Sequence, residues 1–446
     1  MFKSITRDDF PADFKFGVAT AAYQIEGSRL GTPSSTQGYS HWDSFSTTRG
    51  NVLGGDTGAR ACAHFEHIDT DLDLIEGGGF DSYRFSFSWP RLMPNGVGDL
   101  DPGGVAQYDR LLDAMLERNI SPNGTLYHWD LPSALADQGG WQNRDVAKWF
   151  ADYAAQVAVR FDDRLDMLAT INEPWCVSYL SHFLGAHAPG LRDIRATARS
   201  MHHVLYAHGY AVEAMRSENI QTPLGIVLNL QACEPVDDSE ASRAAAYRLD
   251  GIFNRWFLDG ILKGAYPDDM LSALDPWMPE GFHEDMSTVA AQLDWLGINF
   301  YTRELAARSN DRRFPGIEVS RGELTKTGIG WEIYPQGLAT LFERLRADYN
   351  TPALYVTENG MASDTRETDQ VRVAYFDDHL RVCADAIKQG TDLRGYFAWS
   401  LLDNFEWAEG YSQRFGLVHV DFDTQVRSPK DSFRAFKALL TTRSDD

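Results

Sequence analysis

The sequence contains two short acidic motifs, TINEP at residues 170–174 and YVTENG at residues 355–360. Each motif closes a short apolar run, 167–173 and 353–359, with a composition typical of a buried strand. Glu173 therefore stands at the end of one predicted strand and Glu358 at the end of another. Because parallel barrels place their chemistry at the carboxyl ends of their strands, the two motifs favour that fold.

The same kind of strand recurs along the chain. The eight predicted strands cover residues 14–20, 82–87, 121–128, 167–173, 224–230, 295–301, 353–359 and 395–401. Stretches with apolar residues at helical spacing lie between them, and the clearest cover residues 107–118, 146–161, 194–217, 334–348 and 370–388. Strands that are apolar throughout and alternate with helices indicate a parallel sheet buried on both faces. Eight such units predict an α/β fold, a single (β/α)8 TIM barrel.

The chain is longer than a minimal barrel. A (β/α)8 barrel needs about 250 residues, whereas this chain has 446. The surplus falls mainly at 21–81, 174–223 and 302–352, and each of these stretches follows a predicted strand. We therefore expect long βα loops that wall a deep pocket. Since no linker or internal repeat divides the sequence, residues 1–446 are predicted to form a single domain.

The composition limits the classes of partner. The formal net charge is −23, which disfavours nucleic acid and anionic membranes because both would be repelled. The sequence contains neither a run of 18 apolar residues nor an apolar secretory segment near Met1, so we expect a cytoplasmic protein without a membrane anchor. The four cysteines show no paired spacing, which predicts reduced thiols and no metal site. A neutral small molecule is the partner that fits best.

Six motifs in the chain together match one family. They are GVATAAYQIEG (17–27), YRFS with WPR (83–86 and 89–91), TLYHWDLP (125–132), NEP (172–174), TENG (357–360) and WSLLDNFEW (399–407). In these motifs and their order the chain resembles the β-glucosidases of glycoside hydrolase family 1, over essentially its whole length. The resemblance implies a retaining β-glycosidase that needs no cofactor.

The resemblance also assigns the catalytic roles. Glu358 would be the nucleophile and Glu173 the general acid and then base, with Arg84, Tyr301 and Asn299 beside them. A retaining mechanism requires the two carboxyl groups about 5 to 5.5 Å apart. Because two such close carboxyl groups cannot both ionise cheaply, one pKa should lie above its usual value. Arg84 would keep Glu358 ionised, and Tyr301 would donate a hydrogen bond to it.

A second set of residues is implied to bind the sugar. These are Gln24, His128, Trp129, Asn172, Trp331, Trp399, Glu406, Trp407 and Phe415. Asn172 is expected to bind the 2-hydroxyl, Trp399 to offer a flat apolar face, and Trp331 to contact the aglycone. A carboxylate at Glu406 would repel a 6-phosphate, so an unphosphorylated sugar is expected. Arg414, which lies nearby in the sequence, weakens that last argument.

The predicted substrate is a β-glucoside or a short β-linked oligosaccharide. Three alternatives stay open: a β-galactosidase or β-fucosidase of the same family, a sugar-binding protein without turnover, and a metal-dependent barrel hydrolase. The presence of both glutamates argues against the second, and the lack of clustered metal ligands at strand ends argues against the third. A homo-oligomer is compatible with the sequence.

Overall fold

A computed structural model of the protein describes residues 1–32, 35–311 and 313–441. Eight parallel strands close into a barrel in which each strand pairs with its neighbours in chain order. The barrel strands are β1 (Lys15–Ala19), β2 (Ser82–Ser86), β3 (Ser121–Tyr127), β4 (Met167–Asn172), β5 (Leu224–Asn229), β6 (Trp295–Asn299), β7 (Ala353–Asn359) and β8 (Leu393–Trp399). The predicted fold class is confirmed, and all eight predicted strands are present.

The helices surround the barrel. The longer ones are α1 (Ile68–Gly77), α2 (Pro102–Glu117), α3 (Val146–Phe161), α4 (Ile194–Ser217), α5 (Glu240–Asp250), α6 (Trp256–Lys263), α7 (Pro335–Asp348), α8 (Gln370–Lys388) and α9 (Asp431–Thr441). The second helix begins five residues before its predicted start because Asp101 caps it: the carboxylate accepts from the Gly104 amide, and Pro102 fits the first turn. In the described part of the chain, no helix is long and apolar enough to cross a membrane.

The eighth strand differs from its prediction. It ends at Trp399, two residues earlier than expected. The reason is that the backbone N–H of Ser400 donates to the carbonyl of Phe415, in a loop beyond the barrel. Trp399 is therefore the last barrel residue of this strand and lies at the mouth.

Two layers of apolar side chains support the barrel. Inside it, Met167, Ala169, Val227 and Trp295 are buried together and fill the end opposite the glutamates. Outside it, the helices bury a continuous core against the strands. At about 25 cal/mol per Å² of buried apolar surface, such packing is the main source of rigidity for the groups at the strand ends.

The long loops add small sheets at the mouth. Residues Ala232–Pro235 pair with Arg303–Arg308, which pair in turn with Ile317–Ser320. All three segments follow β5 or β6. A hairpin of Val418–Val420 and Arg427–Pro429 follows β8. The loops therefore form ordered walls on the side of the barrel where the glutamates lie.

Candidate active site

The carboxyl ends of four barrel strands bring the candidate catalytic residues together. Arg84 lies in β2, Glu173 directly follows β4, Asn299 ends β6 and Glu358 lies near the end of β7. All four side chains are buried. Charged and polar groups at this depth require partners.

Glu358 is held by two donors, one of them a cation. Nη1 of Arg84 donates to Oε1 at 2.5 Å, and the hydroxyl of Tyr301 donates to Oε2 at 2.6 Å. Both oxygens of the carboxylate are therefore fixed. A charge-assisted hydrogen bond of this kind favours the ionised form.

Glu173 also has a donor at each oxygen, but both donors are neutral. Nδ2 of Asn299 donates to Oε1 at 2.6 Å, and Sγ of Cys176 donates to Oε2 at 3.0 Å. Neutral donors stabilise a carboxylate less than a guanidinium does. The two glutamates thus sit in one pocket with different electrostatic support.

Asn172 connects the two halves of the site. Its Oδ1 accepts from Nη2 of Arg84 at 2.8 Å and from Nδ2 of Asn299 at 3.1 Å. The orientation of Asn299 is set in turn by Thr357, whose hydroxyl donates to Oδ1 of Asn299 at 2.8 Å. Arg84, Asn172 and Asn299 therefore form a hydrogen-bonded chain from Glu358 to Glu173.

The pKa values of the two glutamates reflect these surroundings. Burial, together with the nearby charge of Glu358, raises the pKa of Glu173 to about 7. Burial also raises the pKa of Glu358, but Arg84 and Tyr301 act against that rise. The cation beside Glu358 and the neutral donors beside Glu173 therefore favour the negative charge on Glu358 and the proton on Glu173.

His128 lies beside this network, between two indoles. Its ring is nearly parallel to those of Trp399 and Trp407, with interplanar angles of 14° and 11°. Its Nε2 lies 3.1 Å from Nδ2 of Asn172, and since Oδ1 of Asn172 is occupied by two donors, Nε2 is the acceptor. Burial and the charge of Arg84 lower the pKa of His128, so the ring is neutral and carries its hydrogen on Nδ1.

Two polar atoms of predicted sugar ligands are buried without a partner. They are Nδ1 of His128 and Oε1 of Gln24, neither of which finds a hydrogen bond among residues 1–32, 35–311 and 313–441. Native proteins rarely leave such atoms unsatisfied. A donor and an acceptor of this kind suit the hydroxyl groups of a sugar, which both donate and accept.

Gln24 and Glu406 are hydrogen-bonded to each other at the barrel mouth. Nε2 of Gln24 donates to Oδ1 of Asn404, to the carbonyl of Phe405 and, at 3.4 Å, to Oε2 of Glu406. Burial and the charges of Glu358 and Glu173 raise the pKa of Glu406 to about 8. Glu406 therefore binds a proton more readily than an ordinary carboxyl group, and it joins the wall as a hydrogen-bonding group.

The remaining predicted aromatics form the walls. The indole N–H of Trp129 donates to the carbonyl of Asn172 at 2.9 Å, which ties the third strand to the fourth. Trp331 and Phe415 pack with Tyr301, with ring centroids 5.4 to 6.1 Å apart. Phe415 is buried and Trp331 half-buried. All the predicted site residues thus lie in or next to one region of the barrel mouth; their roles stay predictions.

A family model described as glycosyl hydrolase family 1 matches residues 6–445. A β-glucosidase from Agrobacterium sp. is 46% identical over 443 residues, which cover 97% of this chain and 95% of the relative. A bifunctional β-D-glucosidase/β-D-fucosidase from Bifidobacterium breve is 40% identical over 464 residues, which cover 98% of this chain and 99% of the relative. A solved structure, the β-glucosidase from Thermotoga maritima in complex with deoxynojirimycin, is 42% identical and aligns with a TM-score of 0.93. The alignment covers 97% of this chain and 98% of the Thermotoga chain. This chain belongs to glycosyl hydrolase family 1.

Membership of family 1 confirms the family and the class of enzyme predicted from the sequence: the protein is a glycoside hydrolase. It also confirms the barrel, since the Thermotoga structure superimposes over almost the full length.

Three residues of this family 1 site have a left-handed backbone. Trp129, Glu173 and Trp407 have φ angles of 79°, 51° and 50°. Each such residue costs about 1 to 3 kcal/mol, and such costs are tolerated where function requires the geometry. Here the left-handed turn at Glu173 directs its side chain across the mouth toward Asn299.

Arg414 does not face the sugar-binding wall as a free cation. Its Nη1 donates to Oδ2 of Asp403 at 3.0 Å and to the carbonyl of Val420 at 3.0 Å. Arg414 is therefore already paired and is not free to bind a sugar phosphate, but the raised pKa of Glu406 weakens the repulsion argument, so an unphosphorylated sugar stays a prediction.

Sequence reasoning missed three members of the family 1 site. The sequence predicts only a reduced thiol at Cys176, and it places Thr357 and Asn404 in motifs without indicating a role for either. Thr357 and Asn404 both lie in quoted motifs, so their types and positions were available as a signal. For Cys176 the only signal was its position three residues after Glu173, one turn of a helix.

Proposed function

We propose that this protein is a retaining β-glucosidase that removes terminal β-D-glucosyl residues by double displacement, with Glu358 as nucleophile and Glu173 as acid and base. One observation carries the proposal: Glu358 is paired with a cation, whereas Glu173 is hydrogen-bonded by neutral groups and has a pKa of about 7. Surroundings that push the pKa values of two carboxyl groups apart assign the ionised and the protonated role. The β-glucosidase relatives support the type of substrate.

In the first step, a carboxylate oxygen of Glu358 attacks the anomeric carbon. The bond from that carbon to the leaving oxygen breaks, and Glu173 transfers its proton to the leaving oxygen. Arg84 and Tyr301 hold the attacking carboxylate in place, so little reorganisation is needed during the reaction. The products are a glycosyl ester on Glu358 and an ionised Glu173.

In the second step, Glu173 acts as the base. Formation of the ester removes the negative charge of Glu358, which had raised the pKa of Glu173. The pKa of Glu173 therefore falls, and its carboxylate takes a proton from water as the oxygen attacks the anomeric carbon. Glu358 leaves as a carboxylate, and the sugar keeps its original configuration.

The sugar would be held by the polar groups around this pair. Asn172 and His128 form one hydrogen-bonded pair among these groups, and Gln24 and Glu406 form another. A hydrogen bond from Asn172 to the 2-hydroxyl would strengthen as positive charge develops on the ring, and would therefore lower the barrier. Trp399 is the flat apolar surface for the C–H groups of the ring.

Trapping the covalent intermediate tests the nucleophile. The enzyme would be incubated with a 2-deoxy-2-fluoro glucoside carrying a good leaving group, digested, and mapped by mass spectrometry. We expect one added sugar per chain, on the peptide that contains Glu358. A label on another residue, or product of inverted anomeric configuration in a proton NMR time course, would refute the proposal.

A second candidate specificity comes from the Bifidobacterium relative, which bears two activities in its name. We propose that glucose is preferred, with β-fucoside or β-galactoside hydrolysis as the alternative. Values of kcat/KM for the 4-nitrophenyl β-glucoside, β-galactoside and β-fucoside would show which sugar the enzyme prefers. The glucoside should be the best substrate, and a tenfold preference for either competitor would favour the alternative.

We further propose that residues 1–446 act as a single cytoplasmic domain on a small β-glucoside or short oligosaccharide. Support for the location comes from the four cysteines, all of which are free thiols, as is usual in reducing compartments. Size-exclusion chromatography with light scattering would determine whether the chain forms a homo-oligomer.

A further inference from the structure

Cys176 touches the proposed acid and base directly. It is the first residue of a π-helix, Cys176–Leu184, and is buried. Its Sγ lies 3.0 Å from Oε2 of Glu173. On its other side, Nδ2 of Asn229, the last residue of β5, donates to the same sulfur at 3.8 Å. Because Asn229 supplies a hydrogen to the sulfur, the thiol's own hydrogen is available for Glu173.

The backbone holds this sulfur in place. The hydroxyl of Ser181 donates to the carbonyl of Cys176 at 2.7 Å, one π-helical turn later. The amide of Val177 donates to the carbonyl of Glu173 at 3.2 Å. Local backbone geometry therefore fixes the position of Cys176 relative to Glu173, and the hydrogen bond from Asn299 holds the carboxyl group itself.

The hydrogen bonds also decide which oxygen of Glu173 carries the proton. Oδ1 of Asn299 accepts from Thr357, so the amide nitrogen of Asn299 faces Oε1 of Glu173 as a donor. An amide is a stronger donor than a thiol, so Oε1 is favoured as the carbonyl oxygen of the protonated acid. The transferable proton is thus on Oε2, the oxygen that Cys176 contacts.

We propose that Cys176 is a positioning residue for acid and base catalysis: its thiol donates to Oε2 of Glu173 and favours the ionised form of that carboxyl group. The proposal rests on the role of Glu173 given above. The thiol itself makes and breaks no bond to substrate. When Oε2 passes its proton to the leaving oxygen, the S–H bond remains intact and its hydrogen bond to the new carboxylate strengthens.

The chemistry of the thiol suits this role. Burial and the neighbouring charge of Glu173 raise the pKa of Cys176, so it remains a donor throughout the reaction. The other charged or titratable groups that act on Glu173 are Glu358, Arg84, Tyr301 and Glu406. All of them are still present in a variant at position 176, so a change in the pH profile reports on the thiol.

Two substitutions at Cys176 test the proposal. Glu173 must be protonated to start the reaction, so the alkaline limb of kcat/KM follows its pKa. Cys176→Ala removes a donor that favours the carboxylate, and the limb should move to higher pH by about half a pH unit. Cys176→Ser supplies a stronger donor, and the limb should move to lower pH.

The leaving group provides an independent readout. Hydrolysis of an alkyl glucoside needs a proton from Glu173, whereas a 2,4-dinitrophenyl glucoside needs almost none. Cys176→Ala should lower kcat/KM for the alkyl glucoside about tenfold. For the dinitrophenyl glucoside, kcat/KM should change less than twofold. Cys383→Ala, which alters a buried cysteine on α8, should leave both the pH profile and the substrate ratio unchanged.

The proposal would be overturned if both variants kept the alkaline limb of the wild-type pH profile. It would also be overturned if Cys176→Ala lowered kcat/KM equally for both substrates, because that result indicates a packing role. Thermal melting of each variant shows whether it folds. Rescue of Glu173→Ala by azide on the dinitrophenyl substrate tests Glu173 separately. If azide rescues that variant and the Cys176 variants behave as wild type, the positioning role fails and the role of Glu173 stands.

Discussion

Glu173 and Glu358 are chemically identical side chains that the fold places in different surroundings. Glu358 receives a guanidinium and a phenol, while Glu173 receives an amide and a thiol. At the scale of the single residue, this difference in donors would separate the proposed acid from the proposed nucleophile. Arg84 is the residue on which the difference depends most, because among the described residues it alone brings a full positive charge to one of the two carboxylates.

Substituting Arg84 should therefore change the acidic side of the pH profile. In Arg84→Lys, the ammonium group cannot hold Glu358 and Asn172 at once as the guanidinium does. The pKa of Glu358 should rise, and since Glu358 must be ionised to attack, the acidic limb of kcat/KM should move to higher pH. We expect kcat/KM at its optimum to fall about a hundredfold.

A matched control is Arg110→Lys, in an exposed ion pair with Asp69 on the outside of the barrel. It should match the wild-type profile. If Arg84→Lys also kept the wild-type rate and acidic limb, Arg84 would have no part in holding the nucleophile ionised.

At the scale of the secondary structure element, the site depends on how closely β7 and β8 approach each other. Gly360 follows Glu358 by two residues, and a Cβ atom at this position would lie 1.8 Å from the carbonyl oxygen of Trp399. No other residue type fits there without moving one of the strands. The glycine of the TENG motif is thus required by a backbone contact between two strand ends, each of which carries a site residue.

Gly360→Ala should therefore damage both stability and activity. Overpacking against backbone cannot be relieved by a rotamer change, and we expect a loss of about 2 to 3 kcal/mol in unfolding free energy. Because the displaced strands carry Glu358 and Trp399, kcat/KM should fall as well. Urea denaturation and kinetics on an aryl glucoside would measure the two effects.

Gly77→Ala is the corresponding control, since a Cβ at this position at the end of α1 meets nothing within 4 Å. It should leave stability and kcat/KM close to wild type. Wild-type stability and activity in Gly360→Ala would show that the strands can separate at no cost.

At the scale of the whole molecule, the pocket carries a cost in stability. The chain has a net charge of −23, and it also buries carboxyl groups whose pKa values are raised, Glu173 to about 7 and Glu406 to about 8. A carboxyl group with a raised pKa in the folded state binds its proton more tightly there than in the unfolded chain. Its contribution to stability is complete below pH 4.5 and is lost as pH rises through its folded pKa.

Replacing Glu173 by glutamine should therefore stabilise the protein above about pH 4.5, with the gain growing until the pH passes the folded pKa of about 7. The pKa of Glu173 lies about 2.5 above its usual value of 4.5, which corresponds to a gain on the order of 3 kcal/mol at pH 8. With an unfolding entropy of about 2.1 cal/mol/K per residue, Tm should rise by about 3 °C. At pH 4 the two proteins should melt together.

Scanning calorimetry at pH 4, 6 and 8 measures this difference. Glu117→Gln, at an exposed position, serves as the control and should show the same small change at each pH. An equal Tm for Glu173→Gln and wild type at pH 8 would mean that Glu173 ionises in the folded protein as easily as in water.

The sequence by itself determined the alternation of strands and helices, because that pattern is local and repeats eight times. It also determined which chemical groups the strand ends carry, including Glu173, Glu358 and Arg84. Only the tertiary structure decided how these groups share donors: Arg84 reaches Glu358 across 274 positions of sequence, and Asn299 reaches Glu173 across 126. The thiol of Cys176 and the raised pKa values belong to the same category. Burial and through-space charge depend on distances between strands, and closure of the barrel sets those distances.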